Sequence, residues 1–365
     1  MRIALTSDET YSPGLLCAVL SILSFTRAGC TTGTTFHILD GGLKDETWGT
    51  LERKTSAFGE NIRLLRHPLS RDLFTGLPLQ WDGLPSHYDG AMAYARLLLP
   101  SLIPEDQVIF VDTDMLFFCD MQEIWDEPLG DHLIAACQDS NVMYLANDSL
   151  TELSEQERNL WYFSAGLMKV NLDLWRKEDV QHRTFQLLRE YGPQCTWADQ
   201  TALNACLKGR VKYLDRRWNR FSMKEFFLAD FTGGDVNIHY IAHPKPWVKY
   251  EFKNLSYLIW RICWANLMRG GRYSQDNLGG AKGRLYDRLA LVASWRGCGA
   301  NIVTFFCALL KCVIWLPKTR RIHDWLIKQR TKLQIIQCVS HRLHNTTART
   351  RGTNDCEHRR AKRLS

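Results

Sequence analysis

The stretch Val108-Ile-Phe-Val-Asp-Thr-Asp114 decides the fold of this chain and the position of its chemistry. Its first four residues are apolar and largely β-branched or aromatic, which is typical of a buried strand. Asp112 and Asp114 follow at the C-terminal end of that strand, where open α/β sheets place their ligands. Two carboxylates one residue apart repel each other unless a positive charge lies between them. A divalent cation that holds a diphosphate meets this requirement, because hard oxygen ligands suit Mg²⁺ or Mn²⁺.

The residues around this stretch alternate between strand and helix patterns. Strands are predicted at Arg2–Thr6, Thr35–Leu39, Ile62–Leu65, Val108–Val111, Leu133–Ala136, Phe163–Asn171 and Val236–Ile241. Helices are predicted at Gly14–Thr26, Lys44–Phe58, Met92–Leu102 and Leu172–Tyr191. This alternation predicts an α/β fold with a mostly parallel central sheet that is covered by helices.

Charge is distributed unevenly along the 365 residues. Residues 261–365 hold 21 Lys and Arg against 5 Asp and Glu, whereas residues 1–260 hold 25 against 34. The length allows one sizeable catalytic domain plus an appendage. We therefore predict a catalytic domain at residues 1–260 and a basic, aromatic-rich helical tail at residues 261–365, joined by a linker around Arg269–Gly283.

Within the basic region, Ile302–Leu316 is apolar and aromatic and is flanked by Lys and Arg. It is too short to span a bilayer comfortably, but an apolar face with a basic collar fits a segment lying on an anionic membrane. A buried helix with solvated basic neighbours is a second interpretation. Nucleic-acid binding is disfavoured, because no recognisable RNA or DNA module accompanies the basic residues.

The location of the protein is predicted from its N-terminus and its cysteines. Asp8 and Glu9, rather than a basic cluster, precede the apolar residues Gly14–Phe25, so a core helix explains them better than a signal segment. The twelve cysteines form no Cys-x-x-Cys pair, which is typical of reduced thiols in the cytosol. We expect a cytoplasmic protein attached peripherally to the inner face of the membrane.

Five further motifs accompany the paired aspartates. They are Leu5-Thr-Ser-Asp-Glu-Thr-Tyr11, Tyr94-Ala-Arg96, Phe163-Ser-Ala-Gly-Leu-Met168, Trp197-Ala-Asp-Gln-Thr-Ala-Leu-Asn204 and His239-Tyr-Ile-Ala-His-Pro-Lys-Pro-Trp247. Together, and in this order over about 250 residues, they resemble the retaining glycosyltransferases of family 8, the group of bacterial lipopolysaccharide galactosyl- and glucosyltransferases and of glycogenin. The His-x₅-Lys-Pro-Trp element is the most specific part.

The resemblance implies a GT-A fold, a UDP-hexose donor and Mn²⁺, with Mg²⁺ as the alternative metal. Asp112, Asp114 and His239 would bind the metal, and the imidazole favours Mn²⁺, since Mg²⁺ avoids nitrogen ligands. Lys245 would neutralise charge on the departing diphosphate. A basic, aromatic tail is similar to the membrane-attaching tail of the lipopolysaccharide enzymes, which implies a lipid-linked saccharide acceptor.

The same resemblance implies the remaining contacts to the donor. Thr6, Asp8 and Tyr11 match the uridine side, and Asp8 is equally a candidate helix cap. The other implied donor contacts are Arg96, Thr113, Asp139, Ser164, Ala165 and Gly166. Asp199 and Gln200 match the pair nearest the anomeric carbon, and Gln200, a poor nucleophile, would lie opposite the leaving group. That favours same-face attack over two displacements, although Asp199 as a transient nucleophile stays open.

Two positions depart from the family pattern. Ser164 stands where the family often has Asn, and Ala242 stands where a Gly usually follows the metal histidine by three residues. Two other functions remain open at this stage: a catalytically silent, membrane-bound nucleotide-sugar-binding module, and a phosphatase with Asp112 as nucleophile. The phosphatase leaves the His-x₅-Lys-Pro-Trp element unexplained.

Overall fold

Two sheets organise the part of the chain that the computed structural model describes, which comprises residues 1–26, 33–79, 90–150, 152–222, 236–248, 255–268 and 339. The strands are β1 (Arg2–Ser7), β2 (Thr34–Asp40), β3 (Ile62–Pro68), β4 (Gln107–Val111), β5 (Met115–Leu116), β6 (Ile134–Gln138), β7 (Phe163–Asn171), β8 (Val211–Leu214), β9 (Arg220–Phe221) and β10 (Ile238–His239). The large sheet has the order β3-β2-β1-β4-β7-β6-β8, and the small sheet has the order β5-β10-β9.

Four of the six strand pairs in the large sheet are parallel, and β7 runs antiparallel to both β4 and β6. The predicted α/β fold with a mostly parallel sheet is therefore confirmed. The strand alternation also explains the core. Ile3 and Leu5 of β1 pack into an apolar cluster on one face of the sheet, whereas Ala4 faces the cluster on the other side.

Helices cover both faces of the sheet. They are α1 (Ser12–Phe25), α2 (Asp45–Ser56), α3 (Ala91–Tyr94), α4 (Leu99–Leu102), α5 (Met121–Asp126), α6 (Glu155–Arg158), α7 (Leu172–Lys177), α8 (Val180–Tyr191), α9 (Asp199–Cys206) and α10 (Leu255–Leu267). Helix α1 is almost wholly buried, and Trp260 and Trp264 of α10 belong to the same core cluster as α1. On the opposite face, Trp175 of α7 and Phe185 of α8 pack under the sheet.

The predicted helix Leu172–Tyr191 is wrong, because it is two helices. Asp179 lies between them in the left-handed region, at φ 50° and ψ 41°. Leu172 and Trp175 face the core in α7, and Val180 and Leu188 face it in α8. At about 100° per residue, a continuous helix would place these two stripes about 150° apart around its axis, and the break realigns them.

Two other predicted elements are shorter or more divided than expected. The predicted strand Val236–Ile241 pairs only at Ile238–His239, because β10 has short partners on both sides. The predicted helix Met92–Leu102 consists of α3, a 3₁₀ turn at Ala95–Leu98 and α4. Pro100 lies in the first turn of α4, where a missing N–H is tolerated.

The strand directions bring four chain segments to one edge of the sheet. Strands β1 and β4 are parallel, so the residues after Ser7 and after Val111 lie at the same edge. Strand β7 is antiparallel to β4, with Leu167 opposite Val111, so its N-terminal end reaches that edge too. Gln138 of β6 lies opposite Phe163 and completes the row.

Among the described residues, no helix is both long enough and apolar enough to cross a membrane. The predicted linker Arg269–Gly283 and the apolar stretch Ile302–Leu316 lie outside the described residues. Helix α10 runs across residue 260, where the predicted domain boundary falls.

Candidate active site

A cavity of about 520 Å³ opens at the edge of the sheet where these segments meet. Every site residue predicted from the sequence lines it. These are Thr6, Asp8, Tyr11, Arg96, Asp112, Thr113, Asp114, Asp139, Ser164, Ala165, Gly166, Asp199, Gln200, His239 and Lys245. They come from chain segments up to 239 residues apart, which the fold gathers around one cavity.

Asp112, Asp114 and His239 form the group of side chains best suited to a metal ion among the described residues. The Nε2 atom of His239 lies 3.1 Å from Asp114 Oδ1 and 3.6 Å from Asp112 Oδ2. The short sheet creates this arrangement, because His239 of β10 pairs opposite Met115, directly after Asp114. The backbone N–H of Tyr240 also donates to the carbonyl of Asp114 over 2.9 Å.

The spacing of these three atoms fits a hard divalent cation. An octahedral ion with ligands at about 2.1 Å places neighbouring ligand atoms about 3 Å apart. Two carboxylates and an imidazole form a donor set that suits Mn²⁺. The backbone leaves space for the group only because residue 166 is glycine: a Cβ there would lie 2.3 Å from His239 Cε1 and 2.9 Å from Asp112 Oδ2.

The two aspartates are in different electrostatic surroundings. Burial tends to raise the pKa of Asp114, but the adjacent Lys245 and His239 outweigh it and hold that pKa well below its ordinary value. Lys245 Nζ lies 2.7 Å from Asp114 Oδ2 and also donates to the carbonyl of Tyr240. For Asp112, burial raises the pKa, and Arg96 offsets only part of the effect.

Arg96 is 8% exposed and connects the metal-binding end of the cavity to its other side. Its guanidinium lies 3.0 Å from Asp112 Oδ1 and 2.9 Å from Asp199 Oδ2, and it donates to the carbonyl of Ala165. It also lies over the ring of Phe110, at 4.7 Å. One buried cation therefore serves two carboxylates that the chain places 87 residues apart.

Asp199 and Gln200 begin helix α9, and each is held by a different partner. Burial raises the pKa of Asp199 to about 6, although Arg96 opposes the shift. The Oε1 atom of Gln200 accepts from the N–H of Ala165 over 2.9 Å, and its Nε2 atom donates to Asp139 over 3.1 Å. Asp139 Oδ1 accepts from two backbone N–H groups in the turn after β6. Both ends of the Gln200 amide are thus engaged.

The N-terminal segment also lines the cavity. Asp8 Oδ1 accepts from the N–H of Tyr11 and so orders the turn before α1. The ring of Tyr11 packs edge-on against Trp247, with centroids 5.4 Å apart, and Lys245 Nζ lies 6.0 Å from its centre. The buried Oγ1 atom of Thr6 has no hydrogen-bond partner among the described residues. The hydrogen-bonding capacity of the Thr6 hydroxyl is therefore unused by the described residues.

Sequence reasoning missed Asn219, which is 5% exposed and lies beside the metal group. Its Oδ1 atom is 2.8 Å from His239 Nδ1, and its Nδ2 atom donates to Ser164 Oγ over 3.0 Å. A lone asparagine after an Arg-Arg-Trp turn carries no pattern, and only pairing between β9 and β10 brings it to His239. Trp197, which is 49% exposed, also lines the cavity and was noted only as part of its motif.

The comparisons with known proteins agree with this geometry. The model of the family "Glycosyl transferase family 8" matches residues 2–251. A putative glycosyltransferase of Haemophilus influenzae is 28% identical over 68% of this chain and 73% of its own length. The lipopolysaccharide 1,3-galactosyltransferase of Salmonella typhimurium is 25% identical over 45% of this chain and 52% of its own length.

Among solved structures, the galactosyltransferase LgtC in complex with donor and acceptor sugar analogues has a TM-score of 0.61 and 23% identity, over 76% of this chain and all of that one. The large, mostly parallel α/β sheet of this chain therefore has the GT-A fold of that neighbour. The chain belongs to glycosyl transferase family 8. The predicted family and enzyme class are confirmed, and the phosphatase alternative is no longer supported. Enzymes of this family use a divalent metal and a nucleotide sugar.

Proposed function

We propose that this enzyme transfers glucose or galactose, with retention of anomeric configuration, from a UDP-hexose to a saccharide acceptor in cell-surface glycan synthesis, most simply the lipopolysaccharide core. The observation that carries the proposal is the group Asp112, Asp114 and His239 on the wall of a cavity of about 520 Å³. The cavity has room for a nucleotide sugar. Its other walls carry hydrogen-bonding groups suited to a sugar and a base.

Asp112, Asp114 and His239 would hold Mn²⁺, or Mg²⁺ as the alternative metal. Bound there, the metal would supply positive charge to the diphosphate of the donor. Lys245 lies beside Asp114 and would add a second positive charge on the side of the leaving group. Tyr11 and Asp8 lie on the wall proposed for uridine, and Tyr11 offers a ring face for the base.

The hexose is proposed to lie between Asp139, Gln200 and the backbone of Ser164–Gly166. Gln200 holds Asp139 in place while its own amide is fixed by Ala165. Arg96 holds Asp199 at the same wall and cancels part of its charge. These contacts would orient the sugar hydroxyls and exclude water from the reacting carbon.

The surroundings of Gln200 favour same-face attack over a double displacement. An amide is a poor nucleophile, and both ends of this one are engaged in hydrogen bonds. Asp199 is paired with Arg96, which lowers its nucleophilicity. In the proposed route UDP departs towards Lys245, and the departing phosphate accepts the proton of the acceptor hydroxyl.

We propose a lipid-linked acceptor and peripheral attachment to the inner face of the membrane. The support is the charge of residues 261–365, which hold 21 basic and 5 acidic side chains. Such a region is attracted to anionic lipid. It would keep the cavity near an acceptor that is itself in the membrane.

The test of the donor and the metal is UDP release from UDP-glucose and UDP-galactose without acceptor, with and without Mn²⁺. We expect slow, Mn²⁺-dependent release from one of the two sugars, lost in Asp114→Asn. Asp131→Asn, which changes an exposed aspartate in the turn before β6, is the matched control and should release UDP at the wild-type rate. Absence of both release and Mn²⁺-dependent UDP binding would overturn the assignment of a UDP-hexose.

A further inference from the structure

Asn219 lies at the junction of the two elements that hold the proposed metal group. It follows the 3₁₀ turn Arg216–Trp218 and precedes β9, which pairs with β10 so that Phe221 lies opposite His239. Backbone hydrogen bonds of 2.8 and 3.0 Å join Asn237 to Arg217, two residues before Asn219, and to Arg220, directly after it. Asn219 is 5% exposed, and these hydrogen bonds fix the backbone on both sides of it to β10 and the residue before it.

Both ends of the Asn219 carboxamide are used. The Nδ2 atom donates to Ser164 Oγ, so the Oδ1 atom faces His239 Nδ1 at 2.8 Å. A carbonyl oxygen only accepts, so Nδ1 must carry the proton. The other ring nitrogen, Nε2, faces Asp112 and Asp114, and in the neutral ring it is the nitrogen with the free lone pair. A histidine that binds a metal through Nε2 needs this tautomer, with the proton on Nδ1.

We infer that Asn219 is a positioning residue for the metal-binding histidine: it accepts the Nδ1–H of His239 and thereby leaves Nε2 free for the cation. The inference rests on the proposed function, because it assumes that His239 binds the metal. It adds a residue that does not touch the substrate. Through Ser164, Asn219 also links the metal group to the loop proposed to hold the hexose.

A purely structural role for Asn219 predicts different behaviour from a role in fixing the tautomer. If the residue only fills a buried space, Asn219→Asp would be harmful, since it buries a charge. If the residue is needed as an acceptor, Asn219→Asp keeps that acceptor and preserves metal binding. Carboxylates commonly accept the second N–H of metal-binding histidines, and loss of such a partner typically lowers metal affinity about 10- to 100-fold.

The experiment measures the dissociation constant for Mn²⁺ from the EPR signal of free Mn²⁺, with the full-length protein and saturating UDP. We expect Asn219→Ala to weaken Mn²⁺ binding by about tenfold or more, and Asn219→Asp to stay within about threefold of wild type. Asn219→Leu keeps the side-chain volume and serves if the alanine variant does not fold.

The matched control is Asn171→Ala. Asn171 caps α7 at the opposite edge of the sheet, where its side chain accepts from the N–H of Leu174. It should lower the melting temperature and leave Mn²⁺ binding unchanged. Wild-type Mn²⁺ affinity in Asn219→Ala or Asn219→Leu, or equal losses in the Asp and Leu variants, would overturn the inference alone. If the wild-type protein binds no Mn²⁺ with UDP, the proposed metal site fails first.

Discussion

Gly166 contributes to the candidate site because it has no side chain. Its carbonyl accepts from the N–H of Asp112 over 2.8 Å, so the backbone of β7 lies directly against the metal group. Any side chain at this position would enter the space of His239 and Asp112. The requirement for glycine is therefore set by close approach, since this residue has no unusual backbone angle.

Gly166→Ala should weaken Mn²⁺ binding by about tenfold or more, because His239 or Asp112 must move away from the new methyl group. Crowding should also lower the free energy of unfolding by about 1–3 kcal/mol. Gly49→Ala is the control: it adds a methyl group in the middle of α2, where the nearest neighbouring atom would be a guanidinium nitrogen of Arg53 at 3.5 Å. That variant should gain about 0.5–1 kcal/mol and bind Mn²⁺ normally. Equal Mn²⁺ affinities in the two variants would contradict the close-approach argument.

Asp199 is buried in the wall of the cavity, where its charged form is destabilised. Its pKa is raised to about 6, mainly by burial, so the folded protein holds this proton more tightly than the unfolded chain does. A raised carboxyl pKa contributes stability at low pH, and that contribution is lost as pH rises through the folded pKa.

Asp199→Asn should therefore change the pH dependence of stability. Between about pH 4 and pH 7, the wild-type protein should lose roughly 3 kcal/mol of unfolding free energy relative to the variant, which corresponds to about two pKa units. The measurement is urea unfolding of both proteins over this pH range in the presence of EDTA. Parallel pH profiles would show that the carboxyl group at 199 is not perturbed in the folded state.

At the scale of elements, the site depends on the direction of β7. The sequence predicts the strand Phe163–Asn171, and the structure confirms both of its ends. An antiparallel direction places Ser164–Gly166 at the carboxyl edge of β4, beside Asp112. A parallel strand would have sent these residues to the far side of the molecule, because the motif lies at its N-terminal end.

The break between α7 and α8 is the second feature at this scale. A left-handed conformation costs an ordinary residue about 1 kcal/mol or more, whereas glycine adopts it freely. We therefore expect Asp179→Ala to be less stable than Asp179→Gly by about 1 kcal/mol, as measured by urea unfolding. The comparison uses two variants that both lack the carboxylate, so charge does not contribute. Equal stabilities would mean that α7 and α8 do not require a left-handed residue at this position.

For the whole molecule, the uneven distribution of charge predicts binding to anionic membranes. The full-length protein should bind vesicles that contain phosphatidylglycerol and not vesicles of phosphatidylcholine alone, and salt should weaken the binding. A variant with Lys318→Glu, Arg320→Glu and Arg321→Glu should bind the phosphatidylglycerol vesicles at least about tenfold more weakly than wild type. Reversing the exposed Arg63, Arg71 and Lys177 of the body is the control for net charge. Flotation of the protein with both vesicle types alike would contradict electrostatic attachment.

Local patterns in the sequence predicted most strands and the residues of the cavity. Short apolar runs mark strands that are buried on both faces, and the predicted strands Arg2–Thr6 and Phe163–Asn171 are of this kind. The two-residue strands β5 and β9 were missed, because so short a segment has no measurable period. The break at Asp179 was missed because both halves are amphipathic and helical.

The sequence by itself determined the class of fold and the family and predicted which side chains line the cavity, since each is encoded by residues close together in the chain or by motifs in a recognisable order. Only the tertiary structure decided which partners these residues have. Asn219 meets His239, Arg96 joins Asp112 to Asp199, and Gln200 holds Asp139. Such contacts follow from strand order and direction, and these depend on packing across the whole sheet, which no local pattern carries.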